Sequence, residues 1–243
     1  MNNVILITGS NGGIGKALAE YLLEHNHRNI AFHFRSSALE IKPLLKRFDL
    51  DPEKYIFHAD LTSEKAVKDL RLAIENKLGL VSTLLNVAGL STNAMSWKMT
   101  LEEFRKVIDN NLLSSFLCSR EFIPFMRDQK WGRIVNFTSI VGQTGVIGAS
   151  HYAAAKAGLI GLTKSLALEL ANKNITVNAV ALGYFNYGLI NDVSSELQTQ
   201  IKARIPAGRF GLKEDIGALI KYLISPEASF MTGQVLGLNG GQN

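Results

Sequence analysis

The sequence predicts a doubly wound α/β fold, a seven-stranded parallel sheet with helices on both faces in a single domain. Three observations predict it. Short apolar runs alternate with longer amphipathic stretches, as in right-handed βαβ crossovers. The runs are apolar almost throughout, as strands must be when both faces of a sheet are covered. A glycine-rich turn joins the first run to the first helical stretch.

The strands expected in order are Asn3–Thr8, Asn29–Phe34, Tyr55–Ala59, Thr83–Val87, Gly132–Thr138, Ile175–Ala181 and Gln234–Leu238. Between them lie helical stretches at Ile14–Glu24, Glu64–Lys77, Leu101–Arg127 and Tyr152–Lys173, with a further helix near Lys213. Residues 182–210 break this rhythm with three aromatics (Tyr184, Phe185, Tyr187) and a weak helical stretch at Ser194–Arg204. An excursion of that length inside a compact domain reads as a substrate-binding segment or lid, or as a plain surface loop.

The chain has 243 residues, 47% hydrophobic and 19% charged, enough for a sizeable core and too apolar for disorder. No apolar run reaches the roughly 20 residues that span a bilayer. The first ten residues lack a basic region and a cleavage site, so no signal peptide is expected. One cysteine, Cys118, fits a reducing compartment, and the expected location is the cytoplasm. The net charge of +5 is scattered, with no Lys/Arg tract suited to nucleic acid. A polyanionic cofactor and an acidic carrier protein account for the same charge. The five histidines show no ligand spacing, so no metal site is expected, and no G-x-S-x-G elbow points to a serine hydrolase.

Thr8-Gly-Ser-Asn-Gly-Gly-Ile-Gly15 lies between the first strand and the first helix, where glycines allow close approach to a pyrophosphate and the helix start supplies free N–H donors. Thr8, Gly9, Ser10, Asn11, Gly13, Ile14 and Gly15 are therefore candidate cofactor residues. The second strand ends Phe32-His-Phe-Arg-Ser-Ser37, without the carboxylate that binds an NAD ribose. Arg35 and Ser36 favour NADP(H) instead. Asp60, Leu61, Asn86, Ala88 and Gly89 fall at later strand ends, where ligands bind in such sheets.

Tyr152-Ala-Ala-Ala-Lys156 puts a phenol and an ammonium at i and i+4 on one helix face. An adjacent cation is expected to lower the phenol's pKa and make it a workable proton donor. Ser139, ending a strand after Thr138, is placed to hydrogen-bond a substrate carbonyl, or simply to close a turn. Asn111 is an indifferent helix former inside a helical stretch, which points to a role beyond propensity.

Taken together these residues resemble the short-chain dehydrogenase/reductase family, and the likeness runs from Val4 to Gly241. It implies strand order 3-2-1-4-5-6-7, with Ser139 orienting the carbonyl, Tyr152 donating the proton and Asn111 anchoring a water relay. Lys156 would lower the tyrosine pKa and hold the nicotinamide ribose. Tyr152 and Lys156 thus join the cofactor set, with Gly183 and Phe185. Within the family the chain is most similar to 3-oxoacyl-[acyl-carrier-protein] reductases, in Asn136-Phe-Thr-Ser139, His151–Leu159, Asn174–Ala181, Ile205–Gly211 and Glu227–Leu236. That likeness implies NADPH-dependent reduction of a 3-oxoacyl thioester in fatty acid biosynthesis and a homotetramer. It also implies an acidic carrier meeting Lys98, Met99, Lys130 and Lys173. Reduction of another ketone, or a catalytically silent NADP(H)-binding module, are the competing readings. Three departures from the family pattern are Val87, Leu182 before Gly183, and Tyr187 where a threonine would grip the nicotinamide carboxamide.

Overall fold

The structure is a computed structural model describing residues 4–36, 40–188, 190 and 193–242. Its strands are β1 (Val4–Ile7), β2 (Ile30–Phe34), β3 (Ile56–His58), β4 (Val81–Asn86), β5 (Gly132–Ser139), β6 (Ile175–Leu182) and β7 (Val235–Leu238). All pair in parallel, in the order β3-β2-β1-β4-β5-β6-β7. The order reverses direction between β1 and β4, and that switch point opens the crevice in which such sheets bind ligands.

Successive side chains of the central strands go to opposite faces, so an unbroken apolar run feeds two cores. Leu6, Leu84 and Ile134 meet the apolar stripes of α4 (Glu64–Lys77), α6 (Ser114–Gln129) and α8 (Ser150–Leu170) on one side. Ile5, Ile7, Leu85 and Val135 meet α1 (Gly13–Glu24) and α10 (Lys213–Leu223) on the other. Short helices α2 (Lys42–Arg47) and α3 (Pro52–Tyr55) flank β3, α7 (Val141–Thr144) follows β5, and α9 (Ser195–Ala203) lies in the excursion.

The stretch read as one helix over Leu101–Arg127 is two. α5 (Leu101–Ile108), opened by a Thr100–Glu103 capping box, runs into a π turn at Asp109–Leu113 before α6 begins. The cause sits at Asn111. Its Nδ2 donates to Val107 O at 2.9 Å, the carbonyl its own backbone N–H takes in a regular α-helix, and to Leu90 O at 2.7 Å. Single π turns of this kind concentrate at functional sites.

Candidate active site

The glycine turn is held from below by one buried imidazole. His33, 2% exposed, accepts from Gly9 N at Nδ1 (3.1 Å) and donates from Nε2 to Ala59 O (3.0 Å), which fixes a neutral tautomer. Burial pulls its pKa down to about 4. Ser10 adds a bond from Oγ to His33 O at 2.9 Å. Thr8 donates to Leu85 O and accepts from Val87 N and Ala88 N, both at 3.0 Å. Its hydroxyl is fully used within the protein, so Thr8 serves the turn by locking β1 to the end of β4. α1 then begins at Gly12 with no side-chain cap and no acidic residue in its first turn. That donor set fits a diphosphate, since the helix start offers unpaired N–H groups and positive dipole.

At the end of β2, Arg35 reaches across to Asn110 of the π turn, its Nη1 donating to Asn110 Oδ1. His58 Nε2 donates to Arg35 O at 2.5 Å. Asp60 accepts from Thr62 N and Thr62 Oγ1, bonds that hold its carboxyl below the usual range. Ser36 is exposed beside Arg35, while Ser37 lies outside the described residues. Leu61 is buried in the core beneath.

The second group of residues gathers around the C-terminal end of β5. Ser139 is 8% exposed and its Oγ accepts from Val141 N at 3.2 Å. Lys156 is 4% exposed, and its Nζ donates to Phe137 O at 2.8 Å and stands 5.5 Å from the centre of the Tyr152 ring. Thr138 Oγ1 donates to Lys156 O at 2.7 Å, clamping strand to helix. Gly89 completes this corner by lacking a side chain. A Cβ there would fall 2.4 Å from Asn111 Oδ1 and 3.4 Å from Lys156 Nζ.

The net lowering expected for the phenol's pKa is not found. Burial pushes the Tyr152 pKa up, against a smaller opposing effect of its hydrogen bond with Ser139. The ammonium lies over the ring and spends a proton on a backbone carbonyl. Burial also pulls Lys156 itself down to about 8. A phenol so placed stays protonated near neutral pH, the state a proton donor needs.

Comparison with known proteins decides the family. A family model described as enoyl-(acyl carrier protein) reductase matches residues 9–243. A protein of Rickettsia bellii named 3-oxoacyl-[acyl-carrier-protein] reductase is 39% identical over 236 residues, 97% of this chain and 95% of the relative. Proteins of the same name from Staphylococcus epidermidis and Vibrio cholerae are each 36% identical, covering 99% and 98% of this chain and 99% and 96% of theirs. The chain belongs to the short-chain dehydrogenase/reductase family. It is an oxidoreductase of ketone and alcohol groups, and its cofactor is NADP(H).

In this short-chain dehydrogenase/reductase several expected residues act through the backbone or through neighbours. Asn86 is 2% exposed and donates to Asn136 Oδ1 at 2.9 Å; Asn136 in turn donates to Thr163 Oγ1, tying β4, β5 and α8 together. Phe185 is 4% exposed, its ring packs on Gly211, and the backbone on either side of it is hydrogen-bonded to Gly211. Gly183 N donates to Leu238 O at 3.0 Å. The Tyr187–Gly188 peptide lies against Gly13, where an added Cβ would fall 2.1 Å from Gly188 N, so the excursion reaches the glycine turn.

Sequence reasoning passed over His33, whose role depends on a contact between residues 24 apart. It also passed over His151, fully buried between Thr92 Oγ1 (2.9 Å) and Tyr152 N (2.9 Å), which fastens the loop after β4 to the start of α8. The basic residues split. Lys98 is exposed on the loop after β4, at the C-terminal edge of the strands, where Ser139 also lies. Lys130 and Lys173 precede β5 and β6, at the opposite edge about 25 Å away for strands of this length.

Proposed function

We propose that this enzyme reduces the 3-oxo group of an acyl thioester on acyl carrier protein, in fatty acid biosynthesis, with NADPH. The observation that carries the reading is the meeting of the Ser139 hydroxyl and the Tyr152 phenol beside a buried Lys156. Ser139 donates a hydrogen bond to the substrate carbonyl oxygen, where negative charge develops. NADPH supplies the hydride that the carbonyl carbon receives. Tyr152 gives its proton to the oxygen, and the 3-hydroxyacyl product leaves a phenolate whose charge Lys156 stabilises. Two hydroxyls aimed at an oxygen suit a proton that ends on oxygen. This supports the 3-oxoacyl substrate in the relatives' names over the enoyl substrate of the family description.

Residues 182–210, of which 189, 191 and 192 lie outside the described residues, would close over the acyl chain as a lid, since Tyr187 and Gly188 already touch the glycine turn and Gly183 bonds to β7. A homotetramer accounts for the half-exposed edge strand β7 and for Leu168 and Phe230, which are 86% and 102% exposed. In that assembly Lys130 and Lys173 would meet a carrier serving another copy's crevice, while Lys98 would meet its own. The cytoplasm is the matching location. Among the described residues no helix is long and apolar enough to cross a membrane.

The test is NADPH oxidation with acetoacetyl thioesters of carrier protein and of coenzyme A, beside a crotonyl thioester. Turnover of the acetoacetyl substrates, fastest on carrier protein, is expected. No oxidation with them, alongside turnover of an unrelated ketone or of the crotonyl thioester, would overturn the substrate assignment.

A further inference from the structure

Arg35 is exposed, yet both its ends are held. Its carbonyl accepts from His58 Nε2, and its guanidinium donates to Asn110 Oδ1, a residue 75 positions away on the π turn. The side chain therefore bridges the crevice from the end of β2 to the start of α6. Asn110 is aimed by its own second bond. Its Nδ2 donates to Lys106 O at 2.8 Å, which turns Oδ1 outward as an acceptor. Among the described residues Arg35 forms no ion pair; the carboxylate that feels it is Asp60, whose own oxygen is already bonded to Thr62 N and Oγ1.

We infer that Asn110 is a positioning residue for NADP(H) selectivity, and the inference rests on the reading of Arg35 as the 2′-phosphate ligand. An arginine has five N–H donors in a planar fork, and Asn110 occupies only one nitrogen. The rest of the fork stays available to a phosphate. Holding the guanidinium beforehand removes rotamer freedom that binding would otherwise have to freeze. The neutrality of the amide matters as much as its geometry. A carboxylate at the same position would hold Arg35 at least as firmly but would cancel its charge and repel the phosphate. The π turn is thus used twice, Asn111 facing the catalytic corner and Asn110 facing the adenosine end.

The test compares Asn110→Ala, the isosteric Asn110→Asp and Arg35→Ala. Equilibrium affinities for NADPH and NADH are measured by fluorescence titration, and those for 2′,5′-ADP and 5′-ADP by calorimetry, with thermal melting as a check on folding. Asn110→Ala should weaken NADPH and 2′,5′-ADP by about 3- to 10-fold, the loss of one charge-assisted bond at an exposed site. NADH and 5′-ADP should change less than about 2-fold. Asn110→Asp should weaken NADPH further than Asn110→Ala and leave NADH unaffected. If Arg35→Ala collapses the NADPH preference while both Asn110 variants keep it, the positioning role is overturned and Arg35 stands. If Arg35→Ala also leaves the preference intact, the reading of Arg35 itself has failed. Equal losses for NADPH and NADH in the Asn110 variants would mark a merely structural residue and overturn the inference.

Discussion

The glycine turn and the proposed catalytic corner treat their polar atoms in opposite ways. At the turn every side-chain group is spoken for: His33 is bonded at both ring nitrogens and Thr8 at all its hydrogen-bonding positions. At the corner, among the described residues, Asn111 Oδ1 is buried without a partner and the Lys156 ammonium has a single acceptor in Phe137 O. Buried polar groups left short of partners cost stability, and enzymes concentrate that cost where substrate and chemistry will use it. The turn is built to keep one shape and the corner to react. Substitutions in the two regions should separate accordingly, with losses of cofactor affinity at the turn and losses of turnover at the corner.

The largest effect is expected at the corner. Tyr152→Phe removes the proton donor and leaves the ring packing and Lys156 in place, so kcat should fall by roughly 10³- to 10⁴-fold, at the upper end of what a general acid contributes. NADPH affinity, titrated by fluorescence, should stay within about 2-fold because the turn is untouched. A variant that keeps wild-type turnover would remove Tyr152 from the chemistry.

The turn should instead respond to acid. His33 is neutral when folded and protonates only near pH 4, whereas in the unfolded chain it protonates near 6.5. Above pH 6.5 both states are neutral and the group contributes nothing. As pH falls from 6.5 to 4 the unfolded state takes up the proton first, so stability is lost across that window, by up to about 3 kcal/mol. His33→Leu should abolish that acid sensitivity in urea unfolding at pH 7 and pH 5. At pH 7 it should cost about 1–3 kcal/mol through the unpaired Gly9 N–H and raise KM for NADPH with kcat preserved. An unchanged pH 7-to-5 difference in the variant would show that His33 does not carry the linkage.

This division also explains what could be read from the sequence. The seven strands follow from local signals, the apolar runs, and the candidate residues from a glycine turn after a strand and a tyrosine four residues before a lysine; the strand order was implied by the family resemblance, and the sheet has it. What stayed hidden depends on pairings distant in sequence. Nothing in Phe32-His-Phe-Arg indicates that the imidazole points under Gly9, and nothing around Asn111 shows that its amide will capture Val107 O and split a 27-residue helical stretch. The sign of the tyrosine shift was missed for the same reason, because helix spacing brings Lys156 near the ring and only the fold shows how deeply both are buried. The family likeness grouped Lys98, Lys130 and Lys173 as carrier contacts, and only the strands show that Lys130 and Lys173 lie at the opposite end of the sheet from Lys98.

The smallest of these effects reverses the usual sign of a core substitution. Burial lowers Lys156 from 10.5 to about 8, so at neutral pH the folded state carries a charge it would be more stable without. Lys156→Met is close in shape, removes that charge, and forfeits one hydrogen bond to Phe137 O. The depressed pKa corresponds to about 3 kcal/mol and the lost bond returns roughly 1–2, leaving a net gain of about 1–2 kcal/mol for the cofactor-free variant at pH 7. The gain should shrink between pH 8 and 10.5. There the wild-type lysine loses its proton when folded but keeps it when unfolded, which stabilises the wild type alone. Melting both proteins at pH 7 and pH 10 gives the comparison. A variant that is less stable than wild type at pH 7, with the same gap at pH 10, would mean that the corner stores no such strain. A variant that is more stable and inactive would show that the catalytic corner gives up stability to keep a charge where the chemistry needs it.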